Sequence, residues 1–216
     1  MSFLPKSKLG WIRVGVLVLI LLGLVVYFFV IPAVRYALYS PEEGDIVFQS
    51  LPRTDLSVAI EGISQSNYSH CGVVVKEDGK WLVVEALGDV HKTSLFTWVM
   101  RSRTGRFAAY RLKPEYRASI PKFVSALQPF LGRYYDFKYE MDDEFIYCSE
   151  LAWKAWRSAT GEELGTLVKL GDMNWKPFEE TIRKYEQGPP PLDRMMITPR
   201  GLSEARQLEK VFGGAF

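Results

Sequence analysis

A long apolar run near the N-terminus is the strongest feature of the hydrophobic pattern. Residues 14–34 form 21 consecutive positions without a charged side chain. A transmembrane helix needs about 20 apolar residues, whereas the apolar region of a cleavable signal peptide has roughly 7–15. The pattern therefore predicts an N-terminal tail over residues 1–13, a transmembrane anchor over 14–34, a linker over 35–43 and a single domain over 44–216.

The charges that flank this run predict its orientation. Lys6, Lys8 and Arg13 precede the run, and Arg35 follows it closely. Because basic residues are enriched on the cytoplasmic side of membrane helices, we expect the N-terminal tail to be cytoplasmic. The chain would then be a single-pass protein of the inner (cytoplasmic) membrane, with its domain facing the periplasm or the cell exterior. A cleaved signal peptide is the alternative.

Shorter segments after the anchor show strand and helix patterns. Residues 68–75 and 81–87 are rich in β-branched side chains and flank Asp78-Gly79, a strong hairpin signal. Further strands are predicted over 45–49 and 107–112, and helices over 121–131, 148–158 and 202–212. This order favours an α+β fold in which an antiparallel sheet packs with helices.

Composition narrows the classes of function. The net charge is only +2 and the basic residues are spread along the chain, so nucleic-acid binding is not expected. About 180 of the 216 residues follow the anchor, enough for a core that needs no metal or disulfide. We interpret Asp142 and Asp143 as a solvated acidic turn, and we expect neither a metal nor an organic cofactor.

Two short strings carry the candidate chemistry: Ser69-His70-Cys71-Gly72 opens a predicted strand, and Tyr147-Cys148-Ser149-Glu150-Leu151 opens a predicted helix. A cysteine at the start of a helix is stabilised as a thiolate by backbone N–H groups and the helix dipole. A histidine on a strand is a rigidly held base. Cys148 and His70 therefore suggest a nucleophile activated by an imidazole. The second histidine, His91, is predicted to be solvated in a loop.

The hairpin predicts a carboxylate beside His70. If Asp78-Gly79 forms a two-residue loop, Glu77 pairs with Lys80 and Gly72 comes opposite Glu85. Side chains alternate between the faces of a strand, so Glu85 shares a face with His70 and is its diagonal neighbour. Glu85 could then orient the imidazole as the third member of a triad. A slip of one residue would turn Glu85 to the other face.

The same alternation turns Cys71 to the face opposite His70. If Cys148 meets His70, Cys71 points away from Cys148, and we interpret Cys71 as a small buried apolar residue. A structural disulfide between the two cysteines is the alternative, because the predicted compartment is oxidising.

The order of these motifs resembles a known family. The chain contains, in succession, Gly44-Asp45-Ile46-Val47-Phe48, Tyr68-Ser69-His70-Cys71-Gly72-Val73-Val74, Val84-Glu85-Ala86, Tyr135-Asp136 and Tyr147-Cys148-Ser149-Glu150-Leu151. This order is similar to that of the YiiX/YebB-like permuted papain-like cysteine hydrolases of the wider NlpC-type superfamily. The resemblance covers about residues 43–212. It implies a circularly permuted papain-like fold, in which the histidine strand precedes the cysteine helix, and a triad of Cys148, His70 and Glu85.

The resemblance also implies a function. We expect a membrane-anchored cysteine hydrolase, either an amidase or peptidase or an acyl-lipid hydrolase, whose substrate is a cell-wall peptide or an acyl lipid. Tyr147 and Tyr68 are candidates for lining the oxyanion site. The alternative is a catalytically silent, tethered binding module of the same fold for cell-wall or lipid fragments. The presence of all three triad candidates argues against this alternative.

Overall fold

A computed structural model of the chain describes residues 7–213. Its centre is a six-stranded antiparallel sheet with strand order β4-β3-β2-β1-β5-β8, and a two-stranded sheet, β6-β7, lies apart from it. The strands are β1 (Ile46–Gln49), β2 (His70–Glu77), β3 (Lys80–Leu87), β4 (Asp89–Ser94), β5 (Phe107–Leu112), β6 (Val168–Lys169), β7 (Met195–Met196) and β8 (Leu208–Phe212). The expected α+β architecture with an antiparallel sheet is confirmed.

Eight α-helices accompany the strands in the described part of the chain. They are α1 (Lys8–Val25), α2 (Ile31–Leu38), α3 (Asp55–Ile63), α4 (Leu95–Arg101), α5 (Ile120–Ser125), α6 (Cys148–Thr160), α7 (Glu179–Glu186) and α8 (Pro199–Ser203). A π-helical turn, Val26–Val30, connects α1 to α2.

The central sheet buries a different apolar layer on each face, because apolar side chains run continuously along its middle strands. On one face Phe48 and Val73 pack with Trp156 of α6. On the other face Val74 and Val83 pack with Trp98 of α4 and with Tyr39 and Phe107. Strands covered on both faces read as unbroken apolar runs, which explains Val73-Val74-Val75 in β2. The sheet therefore holds α6 and α4 on opposite sides.

The N-terminal helices form one continuous helical segment from Lys8 to Leu38 that is long and apolar enough to cross a membrane. Its far end packs on the domain. Pro32 is buried, and the guanidinium of Arg35 donates a hydrogen bond of 3.0 Å to the carbonyl oxygen of Gly105. The segment expected to be a linker, 35–43, is helical as far as Leu38, and Tyr39 belongs to the core beside α4. It is not a free tether.

Two sequence predictions about local structure are wrong. The predicted helix over 202–212 is instead α8 followed by β8, whose pairing with β5 supplies backbone hydrogen bonds that no local pattern reveals. His91 does not lie in a loop; it belongs to β4 and pairs with Glu85 of β3. In both cases a neighbouring strand with an open edge determines the conformation.

Candidate active site

His70, Glu85 and Cys148 come together where β2 begins, β3 ends and α6 begins. All three are almost fully inaccessible to solvent, with 1%, 0% and 2% of their surface exposed. Buried ionisable side chains are rare unless they are paired, so the position of these three residues itself indicates a site.

The β2–β3 hairpin brings Glu85 to His70 as the sequence predicted. Gly72 pairs with Glu85, and Glu77 pairs with Lys80. Nε2 of His70 lies 2.6 Å from Oε2 of Glu85. Gly72 has to lack a side chain, because a Cβ there would lie 2.4 Å from a methyl group of Val83 and 2.9 Å from the carbonyl oxygen of Val84.

Two further side chains hold the carboxylate of Glu85. Nη2 of Arg101, the last residue of α4, lies 2.5 Å from Oε2, and the hydroxyl of Thr93 in β4 donates a hydrogen bond of 2.6 Å to Oε1. Burial alone would raise the pKa of Glu85. The hydrogen bond and charge of His70, together with Arg101, outweigh it and lower the pKa to about 2. Glu85 is therefore an anion at neutral pH. Sequence reasoning missed both partners.

Cys148 and His70 shift each other's pKa. Burial lowers the pKa of His70, but hydrogen bonding and charge interaction with Cys148 and Glu85 raise it to about 9. Because Glu85 occupies Nε2, Nδ1 is the nitrogen that is available to the thiol. The pKa of Cys148 is well below its ordinary value, through hydrogen bonding with Cys71 and then with His70, and in spite of burial. A thiolate–imidazolium pair is the resulting charge state.

The prediction that Cys71 points away from Cys148 is wrong. Strand alternation does turn Cys71 towards α6, while the ring of His70 faces Trp98 with 6.4 Å between ring centroids. However, α6 begins beside the first residues of β2, so its own first residue, Cys148, interacts with both side chains. Neither cysteine forms a disulfide in the structure. Burial and the neighbouring Cys148 raise the pKa of Cys71, which therefore stays protonated.

The start of α6 is held independently of the triad. The carboxylate of Glu150 accepts a hydrogen bond of 3.1 Å from the backbone N–H of Tyr147 and caps the helix. The hydroxyl of Tyr147 donates to the sulfur of Met141 and accepts from the backbone N–H of Ile197, at 3.0 and 3.1 Å. The side chain of Tyr147 therefore positions neighbouring segments. The backbone N–H of Cys148, in the first turn, is left as the candidate oxyanion donor.

Tyr68, the second residue expected to line the site, lies elsewhere. Its ring packs against Phe48 with 5.2 Å between centroids, and its hydroxyl is 3.4 Å from that of Tyr110. It borders a shallow surface depression with Arg200 and Lys210 rather than either cavity beside the triad. Proximity to His70 in sequence did not translate into proximity in space, because the ring turns into the core.

A two-part cleft runs along the triad. One part is bordered by Cys148 and by apolar side chains that include Ile182 and Met196. The other part is bordered by His70 and Arg101. The two parts share Leu56, Ile60 and Phe137 as walls. A bond placed at their junction would lie between nucleophile and base.

The chain is similar to known proteins in sequence and in structure. YiiX of Escherichia coli K12, itself described as uncharacterized, is 30% identical over 176 residues, which cover 80% of this chain and 87% of YiiX. A crystal structure described as that of the metalloprotein YiiX from Escherichia coli O157:H7 superposes with a TM-score of 0.77 at 29% identity. The match covers 82% of this chain and 99% of that one.

The description as a metalloprotein applies to that relative, and for this chain the question is whether its residues could bind a metal ion. Residues 7–213 contain no group of three or more His, Cys, Asp or Glu side chains placed to hold a metal ion. The candidates nearest to the site are already engaged with one another, as His70 is with Glu85. The ligating side chains of the described residues therefore do not fit a metal ion.

The family match spans almost the whole domain. The sequence profile of the permuted papain-like amidases YaeF/YiiX, peptidase family C92, matches residues 40–212. This range contains the sheet, α6 and all three triad residues, and it begins directly after α2. The chain therefore belongs to the permuted papain-like amidase family YaeF/YiiX.

Proposed function

We propose that this protein is a membrane-anchored cysteine hydrolase that works through Cys148, His70 and Glu85. The observation that carries the proposal is the convergence of these buried side chains at the start of α6. There the pKa of the thiol is lowered and that of the imidazole is raised. Such a pair is what nucleophilic catalysis by cysteine requires at neutral pH.

The reaction proceeds through an acyl-enzyme. The sulfur of Cys148 attacks the carbonyl carbon of an amide or ester, and the backbone N–H of Cys148 stabilises the resulting oxyanion. The imidazolium of His70 gives its proton to the leaving amine or alcohol as the carbon–nitrogen or carbon–oxygen bond breaks. His70 then takes a proton from water, which attacks the thioester and releases the acid and the free thiolate. Glu85 keeps the imidazole oriented throughout.

The walls of the cleft favour an acyl lipid over a cell-wall peptide as the substrate. Leu56, Ile60, Phe137, Ile182 and Met196 surround the space beside Cys148 and offer few hydrogen-bonding partners. Peptide recognition needs polar groups that satisfy the backbone of the substrate, whereas an alkyl chain is bound by burial of its apolar surface. No cofactor takes part in the proposed reaction.

The anchor supports a location at the membrane. The apolar helix is continuous with α2, and α2 packs on the domain through Pro32 and Arg35. Removal of the helix as a signal peptide would uncover that contact, which favours a retained anchor. We propose the inner membrane and a domain facing the periplasm or cell exterior. A reporter fused after Phe216 that is active only in the cytoplasm would contradict this topology.

Hydrolysis by the full chain in nanodiscs tests the function. Acyl-lipid amides and esters and cell-wall peptides are offered to the wild type, to Cys148→Ala and to Ser158→Ala as a control in the same helix. We expect hydrolysis by the wild type and the control, and a loss of at least about 10³-fold in Cys148→Ala. Equal activity of Cys148→Ala would refute the nucleophile. If the wild type binds a substrate without cleaving it, the protein is a binding module.

A further inference from the structure

The contact between the anchor and the domain defines which side of the domain faces the bilayer. Pro32 fits against Gly105 so closely that a Cβ at Gly105 would lie 2.9 Å from Cα of Pro32. The turn Arg103–Gly105 also touches the π-helical turn Val26–Val30. The domain therefore sits directly beside the helix where the helix leaves its apolar run.

The length of the helix indicates how deep in the membrane the contact between Pro32 and Gly105 would lie. The charge-free run begins after Arg13, and about 20 residues of helix cross the hydrocarbon core. Counting from residue 14, the outer boundary of that core falls at about Ala33. Gly105, which contacts Pro32, is then at this boundary, and its turn also reaches helix residues on the hydrocarbon side of it.

Two exposed arginines lie around this contact. The backbone N–H of Arg103 donates a hydrogen bond of 2.7 Å to the carbonyl oxygen of Ser50, and the N–H of Ser50 donates one of 3.3 Å to that of Arg106. These bonds hold Ser50 beside Arg106, which directly follows Gly105, and exposed Arg53 is three residues after Ser50. Within residues 7–213 neither guanidinium has an acidic partner, whereas the guanidinium of Arg103 pairs with Glu61 at 3.0 Å.

An exposed aromatic residue extends the same side of the domain. Phe96 of α4 is 47% exposed, and its ring lies edge-on against Tyr36 of α2 with 5.2 Å between centroids. Aromatic side chains gather where a membrane protein crosses from hydrocarbon to headgroups. We call Arg53, Phe96 and Arg106 the arginine surface.

We infer that the arginine surface docks onto anionic phospholipid headgroups of the bilayer that holds the anchor. The inference rests on the proposed membrane anchoring. Charge complementarity supports this docking: in the described chain two exposed arginines without acidic partners lie on the segments around the helix contact, together with the exposed Phe96. Basic side chains near an anionic membrane surface each increase binding roughly fivefold, so docking should depend on the lipid charge.

Docking would also orient the cleft. Pro52 and Thr54, the neighbours of Arg53, border the part of the cleft that contains His70. Gln49, at the end of β1 next to Ser50, pairs with His70 itself. The end of the central sheet that carries His70 is therefore the end that faces the bilayer. An acyl substrate would then enter the cleft from the membrane.

Chemical footprinting of the full chain tests the inference. The protein is reconstituted in nanodiscs of phosphatidylcholine, with or without phosphatidylglycerol, and treated with the arginine reagent phenylglyoxal before mass spectrometry. We expect labelling of Arg53 and Arg106 to fall roughly fivefold in the anionic nanodiscs and to recover in high salt. The side chain of Arg206 is 75% exposed. Arg206 serves as the control, and its labelling should be the same in both lipids.

Charge reversal supplies an independent measurement. In wild type, amide hydrogen exchange of residues 103–106 should be slower in anionic than in neutral nanodiscs. Arg53→Glu with Arg106→Glu should abolish the difference, whereas Lys80→Glu with Lys122→Glu should preserve it. Lys80 is at the opposite end of the hairpin and Lys122 is on α5, so this control changes the charge equally elsewhere.

The outcomes separate docking from anchoring. If the chain does not remain with the nanodiscs, the proposed anchor is wrong and the docking surface is overturned with it. If the chain remains but Arg53 and Arg106 are labelled equally in both lipids, anchoring stands and docking is refuted.

Discussion

Nε2 of His70 and Oε2 of Glu85 lie 2.6 Å apart although the two residues are diagonal rather than direct neighbours in the β2–β3 hairpin. The long side chain of Glu85 crosses the space that Gly72 leaves open. Oε2 also contacts Arg101 at 2.5 Å, so one carboxylate oxygen binds both His70 and a fixed cation. If the proposed function holds, this shared oxygen links the response of the site to mutation with its response to pH.

Glu85→Gln should reduce kcat/KM roughly 10²-fold, less than His70→Ala, because an amide still orients the ring but no longer stabilises the imidazolium. Iodoacetamide labelling of Cys148 should slow as well. Glu77→Gln, at the exposed end of β2, is the matched control and should behave as the wild type. Unchanged kinetics in Glu85→Gln would leave a Cys148–His70 dyad and assign Glu85 a structural role.

Glu85 should also stabilise the fold in a pH-dependent way. Its pKa is lowered from 4.5 to about 2 in the folded state, so its contribution is complete above pH 4.5 and is lost as the pH falls towards 2. Thermal unfolding between pH 5 and pH 2 should therefore show a steeper loss of stability in the wild type than in Glu85→Gln. Parallel curves would contradict the lowered pKa.

Hydrolysis should decline above about pH 9. The pKa of His70 is raised from 6.5 to about 9, so the imidazolium that protonates the leaving group is present below that pH and is lost above it. The stabilisation from the charged ring is complete below pH 6.5 and likewise disappears as the pH rises through 9. A pH profile of kcat measures the first effect, and a decline centred near pH 6.5 would contradict it.

Cys71→Ala should raise the pKa of Cys148, because the hydrogen bond from Cys71 is the main contribution that lowers it. One hydrogen bond contributes about 1 kcal/mol, so labelling by iodoacetamide at pH 6 should slow roughly fivefold and should recover at high pH. Cys71→Ser keeps a donor and should stay close to the wild type. Equal labelling rates in Cys71→Ala and wild type at pH 6 would refute this contribution.

Gly72→Ala should destabilise the domain by roughly 1–3 kcal/mol and displace Glu85, because the added methyl group overlaps Val83. Differential scanning calorimetry measures the first effect, and the pH profile of hydrolysis measures the second. Gly188→Ala is the control, since the nearest atom to a Cβ there is 4.0 Å away. A melting temperature equal to that of the wild type would mean that the hairpin adjusts without strain.

The hairpin explains why much of the triad could be predicted from sequence. Asp78 and Gly79 both have positive φ, at 49° and 76°, as a tight two-residue loop demands. Such a loop determines the pairing of every residue behind it, including Gly72 with Glu85. The sequence of the turn therefore predicted the contact between His70 and Glu85, which are 15 positions apart.

The parts that sequence reasoning missed depend on elements that meet only in the folded chain. Arg101 reaches Glu85 because α4 packs across the sheet, and Thr93 does so because β4 pairs with β3. Cys71 interacts with Cys148 because α6 starts beside the first residues of β2, and strand alternation alone does not predict where that helix begins. Tyr68 shows the opposite case, a neighbour of His70 in sequence whose ring turns into the core.

The packing of α2 on the domain has a consequence for how the protein meets its substrates. A domain on a flexible tether explores a volume set by the tether, and its encounters depend on the effective concentration within that volume. In the proposed topology the buried Pro32 and Tyr39 leave almost no free chain between membrane and domain. Encounters are then governed by lateral diffusion in two dimensions, so the enzyme would act on molecules that share its leaflet rather than on polymers beyond its reach.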